Sequence, residues 1–358
     1  MIEINRTIYQ DLPFKGLEHF KSRRKDSRQR FERIADLVDV RSKVILDLGS
    51  CEGSIALGLI EKGARRVLGV DDNIKSIELA TQFAKFLHYE KEADFQQASI
   101  TIEWMNKLPY YDVMVWLSEW QWSVKQKDLE YGKNLLFEAS KKADVMVFES
   151  AGSDGGGGIK GATQDDIEKW LLENTVYNKI VRHSAKGDWM GGVRDLFICS
   201  EPFIKETTKS YKNGMKVIVE RIDKDKIKKT WLNGIEYLKE REVKALKRLA
   251  KYSHYPKLLE ERENYIIETY CGRASRIKKD MIDQVEEIAK ELETENIRHQ
   301  DLVNKNLLSL NGNLYVVDFS RAVFDEEISQ KQWRPRDIGD IPYTDRLALI
   351  LQIKNSKL

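Results

Sequence analysis

The sequence predicts two successive α/β domains: a doubly wound, mostly parallel sheet closed by an antiparallel hairpin, then a smaller α+β domain. Three observations carry this. A polar, helix-like stretch gives way near residue 43 to a strand–turn–helix–strand pattern over 43–71. Apolar strand-like runs separated by helical segments then recur to residue 199. After a polar stretch at 200–215 the order becomes strand, strand, helix, strand. The chain of 358 residues is long enough for two domains of ordinary size. The expected division is a helical segment 1–40, a first domain 41–203 and a second domain 204–358.

Composition narrows the class. Charged residues make up 33% and apolar residues 41%, which suits a globular protein with ample core material. The net charge of +2 gives no global nucleic-acid footprint, and lysines interleave with acids as on solvated helix faces. Cys51, Cys199 and Cys271 are odd in number and far apart, which fits a reducing compartment and offers no metal-site spacing. The first residues lack the apolar core of a signal peptide, and no run approaches a membrane span. The expectation is a cytoplasmic protein; the oligomeric state is not legible.

Along the first domain, Leu17, Phe20, Phe31, Ile34, Leu37 and Val38 mark a helical stripe within 1–43. Residues 43–55 read as a buried strand entering a turn at Gly49 and an apolar helix that Gly63 stops. Gly49 allows a tight turn, and Gly53 allows a close backbone approach to a ligand. The strand 66–71 follows and ends in Asp71, placed to accept the two hydroxyls of a ribose. The glycines do not spell the dinucleotide fingerprint, and Asp47 is unwelcome beside a pyrophosphate. An acidic turn suits a cationic ligand without phosphate.

Asp-Leu-Gly-Ser-Cys-Glu-Gly at 47–53, with Val-Asp-Asp at 70–72, resembles the cofactor motifs of class I S-adenosylmethionine-dependent methyltransferases. The resemblance implies that Asp47, Gly49 and Gly53 line the methionine half of the cofactor, that Asp71 binds its ribose and that Ser99 stands on its adenine side. The strand 111–117 delivers Ser118, Glu119, Trp120 and Trp122 to the carboxyl end of the sheet, as a substrate platform or as packing residues. The strand 144–148 ends at Glu149, and four glycines at 155–158 follow as a loop over the site or a plain surface loop. Glu119 and Glu149 are the candidate acids for a methyl acceptor. A helix 164–173 with Thr163 as its N-cap, then 183–188, a Gly191-Gly192 turn and the strand 195–199, complete the domain. His183 reads as structural.

In the second domain, strands 216–222 and 226–232 flank an Asp-Lys-Asp turn, and 236–252 forms a basic amphipathic helix with Tyr237, Val243, Leu246 and Leu249 on one stripe. The order strand, strand, helix, strand resembles the small lobe of a protein-kinase-like fold, which implies a strand lysine paired with the helix acid Glu242 over nucleotide phosphates; alternation puts Ile227 and Lys229 on one side, so that lysine is Lys229, or alternatively Lys228. The run 210–214 holds one glycine, so no glycine-rich phosphate loop is seen. A helix 282–292 leads into His299-Gln300-Asp301. Asn306 comes five residues after Asp301, and a hairpin turning at 311–313 leads to Asp318-Phe319-Ser320. Phosphoryl transfer from ATP needs these parts: Asp301 to orient the attacking hydroxyl, Asn306 and Asp318 to hold Mg²⁺ on the phosphates.

The order resembles a minimal protein-kinase-like fold of the atypical kinases that act on lipopolysaccharide sugars and aminoglycosides. Gln300 replaces the usual arginine, Ser320 the usual glycine, and no Ala-Pro-Glu-like segment follows. These departures argue for a glycan or small-molecule acceptor over a protein. A methyltransferase followed by a minimal kinase resembles the bifunctional family that terminates polymannose O-antigen chains. The resemblance implies phosphorylation of a glycan hydroxyl with ATP and Mg²⁺, and methylation of the phosphate or acceptor with S-adenosylmethionine. The alternative is a methyltransferase regulated by a pseudokinase, a nucleotide-sensing scaffold. Trp116, Trp120, Trp122 and Trp189 are the aromatic candidates for glycan contact.

Overall fold

The computed structural model describes residues 7–153, 157–184, 194–210, 214, 216–274 and 281–329. The chain divides into two compact units, Met1–Pro202 and Phe203–Leu358.

In the first unit, helix α1 (Ser27–Leu37) is all that forms, among the described residues, of the helix expected over 1–43. Residues 7–26 are irregular. Ile8 N–H bonds the Lys21 carbonyl (2.9 Å) and Arg23 N–H the Ile8 carbonyl (3.0 Å), so the segment satisfies its backbone by folding on itself. Its apolar residues Ile8, Leu12, Phe14 and Leu17 still reach the core, which explains a helix-like pattern without a helix. The sheet then builds through β1 (Val44–Leu48), α2 (Ser54–Glu61), β2 (Arg66–Asp71), α3 (Ile74–Phe86), β3 (Ala93–Gln97) and α4 (Ile102–Lys107). It continues with β4 (Tyr111–Leu117), α5 (Trp120–Gln126), α6 (Leu129–Ser140), β5 (Ala143–Glu149), α7 (Gln164–Asn174), β6 (Tyr177–His183) and β7 (Leu196–Pro202).

The strand order is β3-β2-β1-β4-β5-β7-β6, with β7 antiparallel to both neighbours and the other pairings parallel. The chain reverses its direction of growth between β1 and β4, which opens a crevice at the carboxyl ends of those strands. Central strands are buried on both faces, with successive residues entering opposite layers. Ile45, Val113 and Val115 pack toward Phe31 and α2; Leu46, Met114 and Trp116 pack toward α6 and Phe148. Thr163 caps α7 in a full capping box with Asp166. The expected hairpin begins earlier than the sequence suggested, at Tyr177, and residues 185–193, including its Gly-Gly turn, lie outside the described residues.

The second unit opens with β8 (Lys205–Ser210), β9 (Lys216–Asp223), β10 (Lys226–Leu232), α8 (Glu236–Arg248), β11 (Leu258–Glu261) and β12 (Tyr265–Thr269). These strands form an antiparallel sheet in the order β11-β12-β10-β9-β8. The stretch 200–215, expected as a polar boundary, therefore contributes an edge strand. Helix α8 buries Leu238, Glu242, Val243, Ala245 and Leu246, and leaves Tyr237, expected on the apolar stripe, exposed. Then come β13 (Arg273–Ala274), α9 (Ile282–Thr294), β14 (Ile297–Arg298), the hairpin β15 (Leu307–Leu310) and β16 (Asn313–Val316), β17 (Val323–Phe324) and α10 (Asp325–Ser329). Asn311 and Gly312 (φ +54° and +81°) make the two-residue turn, a pairing favoured for left-handed backbone.

Candidate functional site

Each unit carries a polar centre among the described residues that gathers candidate site residues. In the first, Gly49 (φ +74°) and Gly53 (φ +81°) frame the turn between β1 and α2. Gly49 and Ser50 N–H groups bond the Val70 carbonyl (2.8 and 2.9 Å), which ties the turn to β2. Asp71 then accepts from Cys51 N–H and Asn73 N–H, each at 2.9 Å. A Cβ at Gly49 would stand 2.8 Å from the Cβ of Glu119, so the glycine lets Glu119 close over the turn. A Cβ at Gly53 would meet the Phe95 ring at 2.7 Å. That glycine makes room for a packed aromatic ring. Ser99 is exposed, one residue past Ala98, whose N–H bonds the Asp71 carbonyl (3.0 Å).

Asp47, Asp71, Asp72 and Glu119 make an acidic arc at the carboxyl ends of β1, β2 and β4. Asp47 is buried, and its Oδ2 has no hydrogen-bond partner among the described residues. Burial pushes its pKa up to about 7, with Arg30 opposing and Asp71 adding to the shift. Glu119 also rises to about 7 through burial, although the Trp116 indole N–H donates to its Oε2 at 2.6 Å.

Next to the acids stands a basic arc that sequence reasoning missed. Arg30 from α1 donates through one nitrogen to both oxygens of Glu149, 3.0 Å each. Arg194 donates to the Ser118 hydroxyl (2.7 Å) and lies 3.9 Å from Glu149, while Ser118 Oγ–H itself bonds that carboxylate. Burial would raise the Glu149 pKa; Arg30, Ser118, Arg24 and Arg194 together hold it below its ordinary range. Glu149 therefore anchors arginines and stays ionised. No local signal announces this, because Arg30 and Glu149 are 119 residues apart.

Trp120, an expected substrate contact, is wholly buried; its indole N–H bonds the Gly132 carbonyl (2.8 Å) and its ring meets Phe148 edge-on. Trp116 is buried as well. Trp122 is exposed, with the Lys125 ammonium 4.8 Å over its ring and Gly157 alongside. Trp189 lies outside the described residues.

In the second unit, Lys229 on β10 is buried and sits 2.8 Å from both Glu242 of α8 and Glu268 of β12. Lys228, the alternative, points elsewhere and lies 4.3 Å from the Tyr265 ring centre. Burial alone would lower the Lys229 pKa; Glu242, Glu268 and Asp318 outweigh it and hold the ammonium above its ordinary range. Two buried carboxylates cannot both be neutralised by one ammonium, so burial pushes Glu242 and Glu268 upward. Glu268 was missed, though an acid inside the apolar run of β12 was a legible sign.

The loop after β14 is braced by His299. Asp301 N–H donates to His299 Nδ1 (3.3 Å), and His299 Nε2–H donates to the Val317 carbonyl (2.9 Å), which fixes one tautomer. Asn306 Nδ2 donates to the Asp301 carbonyl (2.7 Å), and Val317 N–H bonds the Asn306 carbonyl (3.0 Å). The hairpin thus folds Asn306 back beside the start of the Asp318 turn. Asp318 and Gln300 hold left-handed backbone (φ +63° and +67°), and the Ser320 hydroxyl donates to Asp318 Oδ1 (2.6 Å). Phe319 is buried against His299 and Tyr255.

The RIO domain family model matches residues 200–344. A relative described as "Putative protein N5-glutamine methyltransferase", from Methanocaldococcus jannaschii, is 38% identical over 52 residues, which are 14% of this chain and 26% of that protein. Among solved structures, the 2.2 Å crystal structure of WbdD is 17% identical, with 99% of this chain and 93% of that chain covered and a TM-score of 0.48. A second structure, described as the bifunctional kinase-methyltransferase WbdD, is 16% identical over the same shares, TM-score 0.48. A magnesium protoporphyrin IX methyltransferase from Synechocystis is 19% identical over 49% of this chain and 79% of that chain, TM-score 0.39. No helix among the described residues is long and apolar enough to cross a membrane.

Proposed function

We propose that the chain is a bifunctional transferase. Its second unit phosphorylates a hydroxyl of a glycan or related small molecule with ATP and Mg²⁺. Its first unit methylates the product with S-adenosylmethionine, in the capping of a cell-surface polysaccharide. The observation that carries this is Lys229, held 2.8 Å from Glu242 and within the field of Asp318. The RIO domain match supports it.

In the second unit, Lys229 would meet the nucleotide phosphates, Asn306 and Asp318 would hold Mg²⁺, and Asp301 would orient the acceptor hydroxyl. The Asn306 amide nitrogen is engaged by the Asp301 carbonyl, and its oxygen would serve as a hard-cation ligand. In the first unit, the acidic arc fits a cofactor that supplies a sulfonium methyl. The buried Oδ2 of Asp47 and the uncompensated Glu119 gain from a nearby cation. Arg30, Arg194 and Ser118 fit an anionic acceptor such as a phosphate monoester. An ionised phosphate oxygen needs positioning more than a base, and these arginines supply it.

One observation favours a second reading. Glu268 already engages Lys229 at 2.8 Å and would compete with a nucleotide, as in a regulatory pseudokinase. Calorimetric titration with Mg²⁺–ATP and with S-adenosylmethionine separates the two, on wild type, Asp318→Ala and Asp71→Ala. The bifunctional reading expects both ligands to bind, and each variant to lose its own ligand only. Failure of wild type to bind ATP would leave the second unit a scaffold.

A further inference from the structure

The pairing of Lys229 with Glu242 depends on where helix α8 lies against β10, because the glutamate comes from the helix and the lysine from the strand. The inner face of α8 is held by Leu238, Val243 and Leu246 in the core. Its outer face carries Arg241, Lys244 and Arg248, one helical turn apart. All three reach the short helix α10, a few residues after Asp318.

Arg241 donates to the Ala322 carbonyl (2.6 Å) and to Glu327 (3.2 Å). The Lys244 ammonium lies 3.0 Å from Glu327 and 3.1 Å from Glu326. Arg248 meets Glu326 through both terminal nitrogens, one of them at 3.3 Å. Phe324 lies beneath the cations, with Lys244 at 3.9 Å and Arg248 at 4.7 Å from its ring centre. Three cations on the helix thus converge on two carboxylates of the segment that Asp318 begins.

We infer that Glu326 and Glu327 are positioning residues for phosphoryl transfer: by clamping α8 to the segment after Asp318, they keep Glu242 on Lys229. The inference rests on the phosphotransfer reading above. Its logic is charge geometry. Where a kinase-like segment is ordered by a phosphate, two negative charges meet an arginine cluster. Here two glutamates supply that charge permanently, and Gln300 stands in the loop where an arginine would receive a phosphate. Arg248, and Lys244 behind it, hold Glu326 ionised with a pKa down at about 2; burial opposes the same shift at Glu327, and Lys244 and Arg241 overcome it. The clamp is therefore charged at every physiological pH.

The test compares wild type with the double variant Glu326→Gln/Glu327→Gln, by Mg²⁺–ATP titration, phosphoryl transfer or ATP hydrolysis, and thermal unfolding. Several partly exposed pairs acting together are expected to weaken ATP binding or turnover by about tenfold when neutralised. Reversal of the charges (Glu326→Lys/Glu327→Lys) should lose more, and the added substitutions Arg241→Glu/Lys244→Glu should restore part of the loss. The salt dependence of ATP affinity should be shallower in the Gln variant than in wild type. Unchanged ATP affinity and turnover overturn the inference, whether or not the melting temperature falls, since a merely structural contact would move only the latter. Wild type that binds no ATP removes the phosphotransfer reading itself, and that outcome is visible before any variant is made.

Discussion

Both polar centres hold more acid than base, and they meet that excess differently. In the second unit one buried ammonium, Lys229, already holds two carboxylates at 2.8 Å, with Asp318 adding to the same field. In the first unit four acids gather at the strand ends, and Arg30, the cation that most depresses Asp47, is itself bonded to Glu149. Burial first, and the neighbouring acids second, push Asp47 and Glu119 up to about 7, while Glu242, Glu268 and Asp318 outweigh burial and drive Lys229 above its ordinary range. A centre with unbalanced acid is completed by a cationic ligand. A centre whose acids share one buried lysine is pre-organised, and an arriving anion must share that lysine with Glu242 and Glu268.

The sharpest way to break this contrast is Lys229→Met, which keeps the volume and removes the charge. Two buried carboxylates then face each other without a cation. Breaking a buried pair this way costs about 3–5 kcal/mol, and any phosphoryl transfer should fall below detection. The sign with pH is definite. Carboxyls raised in the folded state bind more protons there than in the unfolded chain, so the variant loses stability as pH rises from about 5 to 8. Denaturant unfolding of both proteins at the two pH values checks this. A deficit that does not grow with pH would mean the lysine is not compensating those acids.

The first unit should respond to pH through its ligand. Asp47, ordinarily 3.8, titrates near 7 in the folded unit. The unliganded unit is then stabilised at low pH and loses that advantage as pH rises from 3.8 toward 7. A cationic ligand prefers the ionised acids, so its affinity runs the other way. One group with a pKa near 7 predicts about a tenfold gain in S-adenosylmethionine affinity between pH 6 and 8. Asp47→Asn should flatten most of that slope and hold affinity near its low-pH value, as read by calorimetry at the two pH values. A wild-type affinity independent of pH would remove Asp47 and Glu119 from the site.

What was legible in the sequence is what the chain encodes locally. The turn 47–53 and the run 299–320 each keep their chemistry within a few residues, and backbone bonds such as Val317 to Asn306 close them as the spacing predicts. Partners from distant strands were not legible: Arg30 with Glu149, and Glu268 with Lys229. Residues 7–26 imitate a helix because burial alone sets their apolar spacing. The strand Lys205–Ser210 carries no apolar residue, as an edge strand can, so alternation gave no sign of it. Trp120 and Trp122 stood together in the sequence at a strand end. Helix α5 begins there, and two residues along a helix turn a side chain through about 200°, which sends one ring inward and the other out.

That pair gives the finest test of the contrast, and the smallest effect. Trp120→Ala removes a buried ring and its bond to the Gly132 carbonyl, and should cost about 3–5 kcal/mol of stability. Trp122→Ala removes a ring that is 47% exposed, and should change stability by no more than about 0.5 kcal/mol. S-adenosylmethionine affinity should be unchanged, because the ring meets Lys125 and Gly157, and the bond from Trp122 to the Glu119 carbonyl (2.8 Å) comes from the backbone N–H, which the substitution keeps. If the ring is a platform for an acceptor, the acceptor KM should rise several-fold with kcat preserved, the pattern of lost uniform binding. Unaltered KM would make Trp122 a surface residue that shelters Gly157. A fall in kcat would instead put the ring among the groups that align the acceptor with the acidic arc.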